Sequence, residues 1–215
     1  MIKVLNLYAG IGGNRKLWTD VDVTAVEIVP EIAKVYQQFF PNDKVIVADA
    51  HQYLLEHYKE FDFIWASPPC PTHSVCNHFL HGQGIERYPD MKLYEEIVFL
   101  QNWCKCKWVV ENVIPYYEPL IKPAVVGRHC FWSNFIIPNK DEEYDIGTFN
   151  RQATQMAQRK AIIREAQIPE LTVLHGLTNF NIKNKRQVLR NCVKAEIGLY
   201  VLNCAYKIQQ KTLNT

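Results

Sequence analysis

Five apolar stretches of strand length recur between residues 2 and 113, and the last four lead in succession to a residue that can do chemistry. They cover residues 2–8, 23–27, 45–49, 61–65 and 108–113. The chemical groups that follow are Glu27, Asp49, Cys70 and Glu111. Strands that alternate with helices form a parallel sheet, because each crossover returns the chain to the same edge. The pattern therefore predicts an α/β fold, a Rossmann-like, doubly wound and mostly parallel sheet.

Cys70 is placed where an apolar strand ends and a rigid turn begins. Pro68 and Pro69 fix their own φ and bias the preceding residues toward extended conformations. The carboxyl ends of strands are where open α/β sheets bind ligands. A buried structural cysteine is the alternative, and it is the commoner fate of a free thiol. The next strand ends on Glu111 and Asn112, so the two strand ends together favour a nucleophile beside an acid.

A glycine-rich turn follows the first strand at residues 9–13, and a helix is expected from about Asn14. Glycine permits positive φ and lets a ligand lie close to the backbone at a helix amino end. Glu27, at the end of the next strand, is suited to bind ribose hydroxyls. Asp49 ends the third strand, where it would accept from an adenine amino group; plain surface solvation is its alternative. These groups predict a nucleoside cofactor, and the lack of Gly-Lys-Ser/Thr argues against triphosphate chemistry.

Helical spacing returns at residues 30–40 and again at residues 91–103. In the first of these segments the apolar residues at helix spacing are expected in the core: Ile32, Val35, Tyr36 and Phe39. Residues 72–90 are polar and show no periodicity, so a mobile lid is predicted there.

Length and composition limit the class of protein. A chain of 215 residues suits one main domain. Its seven cysteines show neither a paired framework nor zinc-site spacing, so a reducing cytoplasm and no metal are expected. No apolar run is long enough to span a bilayer, and a soluble protein is predicted. Residues 151–194 hold nine Lys/Arg and two acids, which indicates either a nucleic-acid surface or a solvated helix face.

Several of these motifs together resemble the cytosine-5 DNA methyltransferase family. The stretch 7–13 is similar to the family's F-A-G-x-G-G motif, and residues 67–70 to its Pro-Cys nucleophile motif. Residues 111–113 match E-N-V. Near the C-terminus, residues 174–177 and 190–193 resemble the Met-Gly-aromatic and G-N-S-V motifs. The motifs follow the order and spacing of the family, and together they span nearly the whole chain.

The resemblance implies S-adenosylmethionine as cofactor and a flipped-out cytosine as substrate. Cys70 would attack carbon 6 of the base, and Glu111 would hold ring nitrogen 3 and the exocyclic amine. Asn112 and Arg128 complete the implied catalytic set. The implied cofactor contacts are Tyr8, Ala9, Gly10, Ile11, Gly12, Gly13, Glu27, Ile28, Asp49, Ala50, Pro68, Asn191 and Val193.

Three positions depart from the family pattern. Pro71 replaces a common glutamine, and Arg190 replaces the glycine before Asn191. The family's R-x-R motif has one arginine here, Arg128, with Cys130 where the arginine that holds the oxygen of the base is expected. Either Arg128 or His129 takes that role, or the alignment slips by a residue. Arg128 could equally form a structural ion pair.

The resemblance also indicates three segments: a catalytic domain at 1–134, a reduced target-recognition segment at 135–172, and a returning segment at 173–215. A single C-terminal helix is expected in the last, with Val188, Cys192, Val193 and Ile197 facing inward. Contacts to double-stranded DNA are predicted from a helix within 151–167, through Arg151, Gln155, Arg159, Lys160 and Arg164.

Two alternatives stay open for the function: the same chemistry on RNA, and a non-catalytic nucleic-acid-binding relative. An accessory specificity protein is a further possible partner. The expected setting is the cytoplasm of a bacterium or of a phage-infected cell, where restriction-modification is one role for such an enzyme.

Overall fold

The computed structural model describes residues 1–75, 77–140, 168–169, 171–178, 180 and 182–206. A seven-stranded sheet forms its centre. The strands are β1 (Ile2–Leu7), β2 (Val21–Val26), β3 (Lys44–Ile46), β4 (Phe63–Ala66), β5 (Lys107–Val113), β6 (Ala124–Val126) and β7 (His129–Ser133). Each of the five predicted strands is therefore present.

The sheet has the order β3-β2-β1-β4-β5-β7-β6. The first five strands of this order are parallel, and β7 runs antiparallel to both β5 and β6. The predicted doubly wound, mostly parallel sheet is confirmed. The order reverses between β1 and β4, and this reversal creates the crevice in which such sheets bind ligands.

Both faces of the central strands are buried. In β4, Phe63 and Trp65 point into one hydrophobic cluster, whereas Ile64 and Ala66 point into another on the opposite face. Helices cover both faces of a parallel sheet, so its strands read as continuous apolar runs. This explains why the stretch before Cys70 shows no alternation of polar and apolar residues.

Helices surround the sheet, and residues 168–169 and 171–174 are also helical. The numbered helices are α1 (Pro30–Phe39), α2 (Ala50–His57), α3 (Asn77–His81), α4 (Lys92–Trp103), α5 (Lys185–Asn191) and α6 (Ala195–Tyr206). Helices α1 and α4 confirm the two helices predicted from apolar periodicity. In α1, Val35 and Tyr36 are buried, while Ile32 and Phe39 are partly buried against a cluster that contains α5 residues.

The helix expected from about Asn14 is wrong. Residues 13–17 form turns, in which the Arg15 amide donates to Gly12 and the Trp18 amide donates to Arg15. The Asn14 side chain is drawn inward and donates to Asn6 Oδ1 at 2.9 Å. Helix α6 occupies the space beside the Asn14 backbone, so a compact turn replaces the helix.

The contact between Gly198 of α6 and this turn sets a strict limit on side-chain size. A Cβ added at Gly198 would lie 2.0 Å from the carbonyl oxygen of Asn14. We expect Gly198→Ala to lower the free energy of unfolding by about 1–3 kcal/mol or more, because backbone cannot move away cheaply. Urea titration would measure this change.

Gly82→Ala is the matched control, because its added Cβ would meet no atom closer than 3.6 Å. Its effect is expected to stay within about 0.5 kcal/mol. Equal stability of the Gly198→Ala and wild-type proteins would contradict the described packing of α6.

The returning segment forms two helices instead of the single C-terminal helix that was predicted. Helix α5 ends at Asn191, and Cys192 is extended with φ −75° and ψ 125°. A Cβ at Gly13 would lie 2.3 Å from Cys192 Sγ and 2.4 Å from the Val193 carbonyl oxygen. The chain is thus straightened where it passes the glycine turn. Cys192, Val193 and Ile197 are buried, as predicted.

Two other segments differ from their predictions. Strand β3 ends at Ile46, so Asp49 does not end a strand. Asp49 is the amino-terminal cap that precedes α2. The segment 72–90, which showed no periodicity, contains the short helix α3. The Asn77 side chain donates to the Pro71 carbonyl at 3.0 Å, which fastens α3 to the loop after β4.

Membrane-spanning helices and clusters of metal ligands are both absent from the described residues. No helix in these ranges is long and apolar enough to cross a bilayer. Nor do three His, Cys, Asp or Glu side chains cluster there in a way that could hold a metal ion. The predicted DNA contacts Arg151, Gln155, Arg159, Lys160 and Arg164 lie outside the described residues. The boundaries of the segment 135–172 therefore stay predictions.

Candidate active site

The loop after β4 is fixed at several points, which positions Cys70. The indole nitrogen of Trp65 donates to Ser67 Oγ at 2.8 Å. The Asn112 amide donates to the Pro68 carbonyl at 3.0 Å. The Cys70 carbonyl accepts from the amides of His73 and Ser74 at 3.0 and 3.2 Å. A loop held at these points presents its thiol in a defined place.

Cys70 lines a cavity of about 210 Å³ at the carboxyl ends of β4 and β5. Its Sγ lies 3.9 Å from the Asn191 side-chain oxygen, across 121 residues of sequence. The lining residues are Ser67, Pro68, Pro69, Cys70, Ser74, Glu111, Asn112, Val113, Arg128, His129, Arg190 and Asn191. The structure thus brings all four predicted catalytic residues to one cavity.

Glu111 lies within β5 and is only 6% exposed. The strand continues to Val113, because β7 pairs with it on the far side. His129, the first residue of β7, places Nδ1 2.6 Å from Glu111 Oε1, and His129 is itself buried. A buried carboxylate needs such a partner.

Cys130 does not take the place that the resemblance implied for it. In the antiparallel pair, Cys130 lies opposite Asn112, and Phe131 lies opposite Glu111. Side chains alternate along a strand, so His129 shares a face with Glu111 and Cys130 faces the other way. The buried Cys130 packs in the core with Val110 and Trp132. Burial raises the pKa of its thiol to about 11.

Asn112 and Arg128 both make contacts to backbone. The Asn112 oxygen accepts from the Val113 amide at 2.9 Å, and its nitrogen holds the Pro68 carbonyl. Arg128 Nη2 donates to the Arg190 carbonyl at 3.0 Å. Arg128 therefore connects the start of β7 to α5 while it lines the Cys70 cavity.

A second cavity, of about 500 Å³, lies beside the glycine turn. The predicted cofactor residues that line it are Tyr8, Ala9, Gly10, Ile11, Gly13, Glu27, Ile28, Asn191 and Val193. At Gly10, whose φ is +55°, an added Cβ would meet no protein atom within 4 Å. The turn thus exposes its backbone to open space, which a ligand can approach closely.

Glu27 braces the turn. Its two carboxylate oxygens accept from the amides of Gly10 and Val29, each at 2.9 Å. Each carboxylate oxygen has a second lone pair, so the side chain still has acceptors for a ligand hydroxyl. Glu27 is 8% exposed, and this burial restricts the movement of its carboxylate.

Four other predicted cofactor residues lie elsewhere. Asp49 is exposed and accepts from the Gln52 amide at 2.9 Å as the amino-terminal cap of α2, and neither it nor Ala50 lines the second cavity. Pro68 lines the Cys70 cavity. Gly12 faces α1, where an added Cβ would lie 2.3 Å from the ring of Phe40.

Several lining residues were missed from the sequence. Lys183, Asn184, Gln187 and Val188 border the second cavity, and Ser74 borders the first. The sequence predicts Val188 only as an inward-facing core residue. Apolar spacing identifies a helix face but does not distinguish contact with a ligand from contact with a core.

Tyr8 is anchored behind the second cavity by a fully buried carboxylate. The Tyr8 hydroxyl donates to Glu96 Oε1, and His51 Nδ1 lies 3.2 Å from the same oxygen. Burial, and then Glu96, raises the pKa of the Tyr8 hydroxyl well above its usual value. The hydrogen bond between His51 and Glu96 raises the pKa of the His51 imidazole.

The contact between His51 and Glu96 predicts how the free energy of unfolding depends on pH. A histidine whose pKa is raised on folding adds stability below its unfolded pKa of about 6.5, and that stability is lost as pH rises through the folded pKa. We expect His51→Gln to be less stable than the wild type at pH 5.5, with a smaller difference at pH 8.5. Urea titration at both pH values would measure both differences.

His57→Gln, on the same helix, is the control, because its partner Glu60 is well exposed. Solvent screening makes an exposed pair contribute little. A difference between His51→Gln and wild type that does not change with pH would contradict the ionic pairing with Glu96.

The two cavities are neighbours, because Ser67, Pro69 and Asn191 line both of them. A ligand beside the glycine turn and a ligand beside Cys70 would therefore lie on either side of the same few side chains. The arrangement suits transfer of a small group between two bound molecules, with a thiol and a carboxyl group at the acceptor.

Comparisons with known proteins identify a family and a fold. A model of the C-5 cytosine-specific DNA methylase family matches residues 2–114. No curated protein matches the chain. The methyltransferase EhMeth of Entamoeba histolytica has a similar structure at 10% identity and a TM-score of 0.56, over 98% of this chain and 99% of that one.

A mutant of DNMT2 from Spodoptera frugiperda is similar at 14% identity and a TM-score of 0.60, over 96% of this chain and 100% of that one. At these identities the likeness concerns the fold, which is that of S-adenosylmethionine-dependent methyltransferases.

Proposed function

Because the chain belongs to the C-5 cytosine-specific DNA methylase family, we propose that it methylates carbon 5 of cytosine in DNA through a covalent adduct of Cys70. The family supports methylation of cytosine from S-adenosylmethionine. The observation that carries the finer proposal is the convergence of Cys70 and Glu111 on one cavity, next to the cavity of the glycine turn.

The second cavity fits the cofactor. Its volume of about 500 Å³ and its open glycine backbone suit a nucleoside with a short amino-acid chain. Glu27 would accept from ribose hydroxyls, and Ile28 and Val193 would contact the adenosine. When bound there, S-adenosylmethionine supplies the methyl group that carbon 5 accepts.

The chain's own residues would carry the rest of the reaction. The Cys70 thiolate forms a bond to carbon 6 of the cytosine ring. Glu111 holds ring nitrogen 3 and the exocyclic amine and gives a proton to that nitrogen, so the displaced electrons collect at carbon 5. After carbon 5 is methylated, a base removes its remaining proton, the Cys70–carbon 6 bond breaks, and ring nitrogen 3 returns its proton to the Glu111 carboxylate.

Asn112 and Arg128 have supporting roles in this proposal. Asn112 fixes the loop that carries Cys70, because its amide holds the Pro68 carbonyl. His129 Nδ1 is already bound to Glu111. Arg128 is therefore the proposed group that holds the oxygen of the base.

Purified protein with labelled S-adenosylmethionine tests the proposal on duplex DNA and on tRNA. We expect label on carbon 5 of cytosine in DNA. Label only on tRNA would keep the chemistry and replace the substrate. Label on neither substrate, from protein that binds the cofactor, would contradict the proposed function.

The length of the predicted target-recognition segment 135–172, which precedes the motif at 174–177, bears on specificity. About 38 residues are too few for a separate recognition domain. We expect a short or degenerate target of about two to four base pairs, because each bidentate base contact gives only about 1–3 kcal/mol of discrimination. Bisulfite sequencing of a methylated plasmid measures it, and a strict site of about six base pairs would contradict the expectation.

A further inference from the structure

We propose that His129 acts as an uncharged donor that positions the Glu111 carboxyl group, next to Cys130, the position at which the family pattern has a permanently charged arginine. The proposal rests on the proposed function of Glu111 as an acid. It gives His129 the role of a positioning residue, because His129 bonds to Glu111 and does not touch the base.

The first step is the geometry of the pair. Strands β5 and β7 pair Glu111 with Phe131 and Val113 with His129. Glu111 and His129 are thus diagonal neighbours on one face, within reach of long side chains. Their 2.6 Å contact joins Nδ1 to Oε1 and leaves Oε2 for another partner.

The second step concerns the other ring nitrogen of His129. Nε2 is buried and has no hydrogen-bond partner within the described part of the chain. A charged imidazolium would place an N–H there without an acceptor, at a large desolvation cost. A neutral ring with its proton on Nδ1 leaves only a lone pair at Nε2, which costs less to bury. The geometry therefore favours the neutral Nδ1–H tautomer.

The third step is the location of the transferable proton. A neutral His129 has no second proton to give, so the proton that reaches the base in the proposed reaction comes from Glu111 Oε2, while Oε1 accepts the Nδ1–H bond. When Oε2–H gives its proton to ring nitrogen 3, a carboxylate remains, still bonded to Nδ1–H. His129 keeps the same protons throughout. An arginine would instead favour the ionised carboxylate before the reaction.

Other charged and titratable groups also surround this pair. Those that line the same cavity or act electrostatically on Glu111 are Cys70, Arg128, Cys130, Arg190 and Cys192. They are unchanged in variants of His129. A difference between such variants therefore reports on position 129.

The tautomer is tested directly by long-range ¹H–¹⁵N spectra of histidine-labelled protein at pH 7, with His129→Asn to assign the signals. We expect a neutral His129 ring protonated on Nδ1. An imidazolium, or a ring protonated on Nε2, would overturn the inference. This measurement needs no activity, so it remains decisive even if the proposed function fails.

Three variants test the role in catalysis. His129→Asn places an uncharged amide near the position of Nδ1, and we expect kcat within about 10-fold of wild type. His129→Leu removes the donor, and we expect kcat to fall about 10- to 100-fold beyond the Asn variant, as for a hydrogen bond to a charged group. Equal losses in both variants would show a merely structural role.

His129→Arg supplies a fixed charge. We expect the alkaline limb of its kcat profile to move to lower pH, because the cation favours the ionised carboxylate. The alkaline limb should keep its position in His129→Asn and in His57→Asn, a control that changes a half-buried histidine of α2 outside both cavities. Wild-type activity and an unchanged profile in His129→Arg, with loss in His129→Asn, would show that a cation is needed and would overturn the inference.

Discussion

Cys70→Ser is expected to abolish methyl transfer, by at least about 10⁴-fold, while leaving cofactor binding nearly intact. The thiol lines the smaller cavity, whereas the glycine turn lines the larger one, so the two functions are separable. A serine hydroxyl ionises too weakly to form the bond to carbon 6. Transfer of labelled methyl groups and calorimetry of cofactor binding measure the two effects.

A trapping experiment gives this prediction a second readout. DNA that contains 5-fluorocytosine should form a denaturant-stable adduct with the wild type, because fluorine on carbon 5 blocks the final elimination. Cys204→Ser, which changes a half-buried cysteine of α6, should form the adduct normally. An adduct that survives Cys70→Ser would show that another residue is the nucleophile.

Glu111→Gln is expected to lower the single-turnover rate by about 10²- to 10⁴-fold, which is the usual contribution of a general acid. The amide oxygen can still accept from His129 Nδ1, so the contact between β5 and β7 survives. The amide has no proton of suitable acidity for ring nitrogen 3. Binding of DNA should weaken far less than the rate.

The exposed Glu118→Gln is the matched control and should leave the rate unchanged. Rapid-quench kinetics with saturating enzyme separate the chemical step from binding. A near-normal single-turnover rate for Glu111→Gln at neutral pH would contradict the role of Glu111 as the acid.

Much of the fold follows from short-range patterns in the sequence. Apolar runs bounded by turn residues gave the five parallel strands, and periodicity gave α1 and α4, because these elements are specified by neighbours a few residues apart. The expected helix at Asn14 failed because a distant helix, α6, occupies the space beside that backbone. The single C-terminal helix failed at Cys192 for a related reason, its close approach to Gly13.

The site also combines residues that local sequence patterns predict with residues that only distant contacts place. The glycine turn and the Pro-Cys loop are contiguous in sequence, so the sequence by itself predicted Cys70 as a candidate nucleophile and the glycine turn as a ligand site. The partners of these groups come from distant parts of the chain. Asn191 reaches Cys70 across 121 residues, and Asn112 holds Pro68 across 44.

His129 is the clearest case of a residue that only the tertiary structure could place. The sequence left open whether Arg128 or His129 holds the oxygen of the base, and it indicated no partner for Glu111. The register of β7 against β5 puts His129 on the face of Glu111 and turns Cys130 into the core. A shift of one residue would exchange those faces, because side chains alternate along a strand. Register depends on pairing between strands remote in sequence, so no local pattern could have decided it.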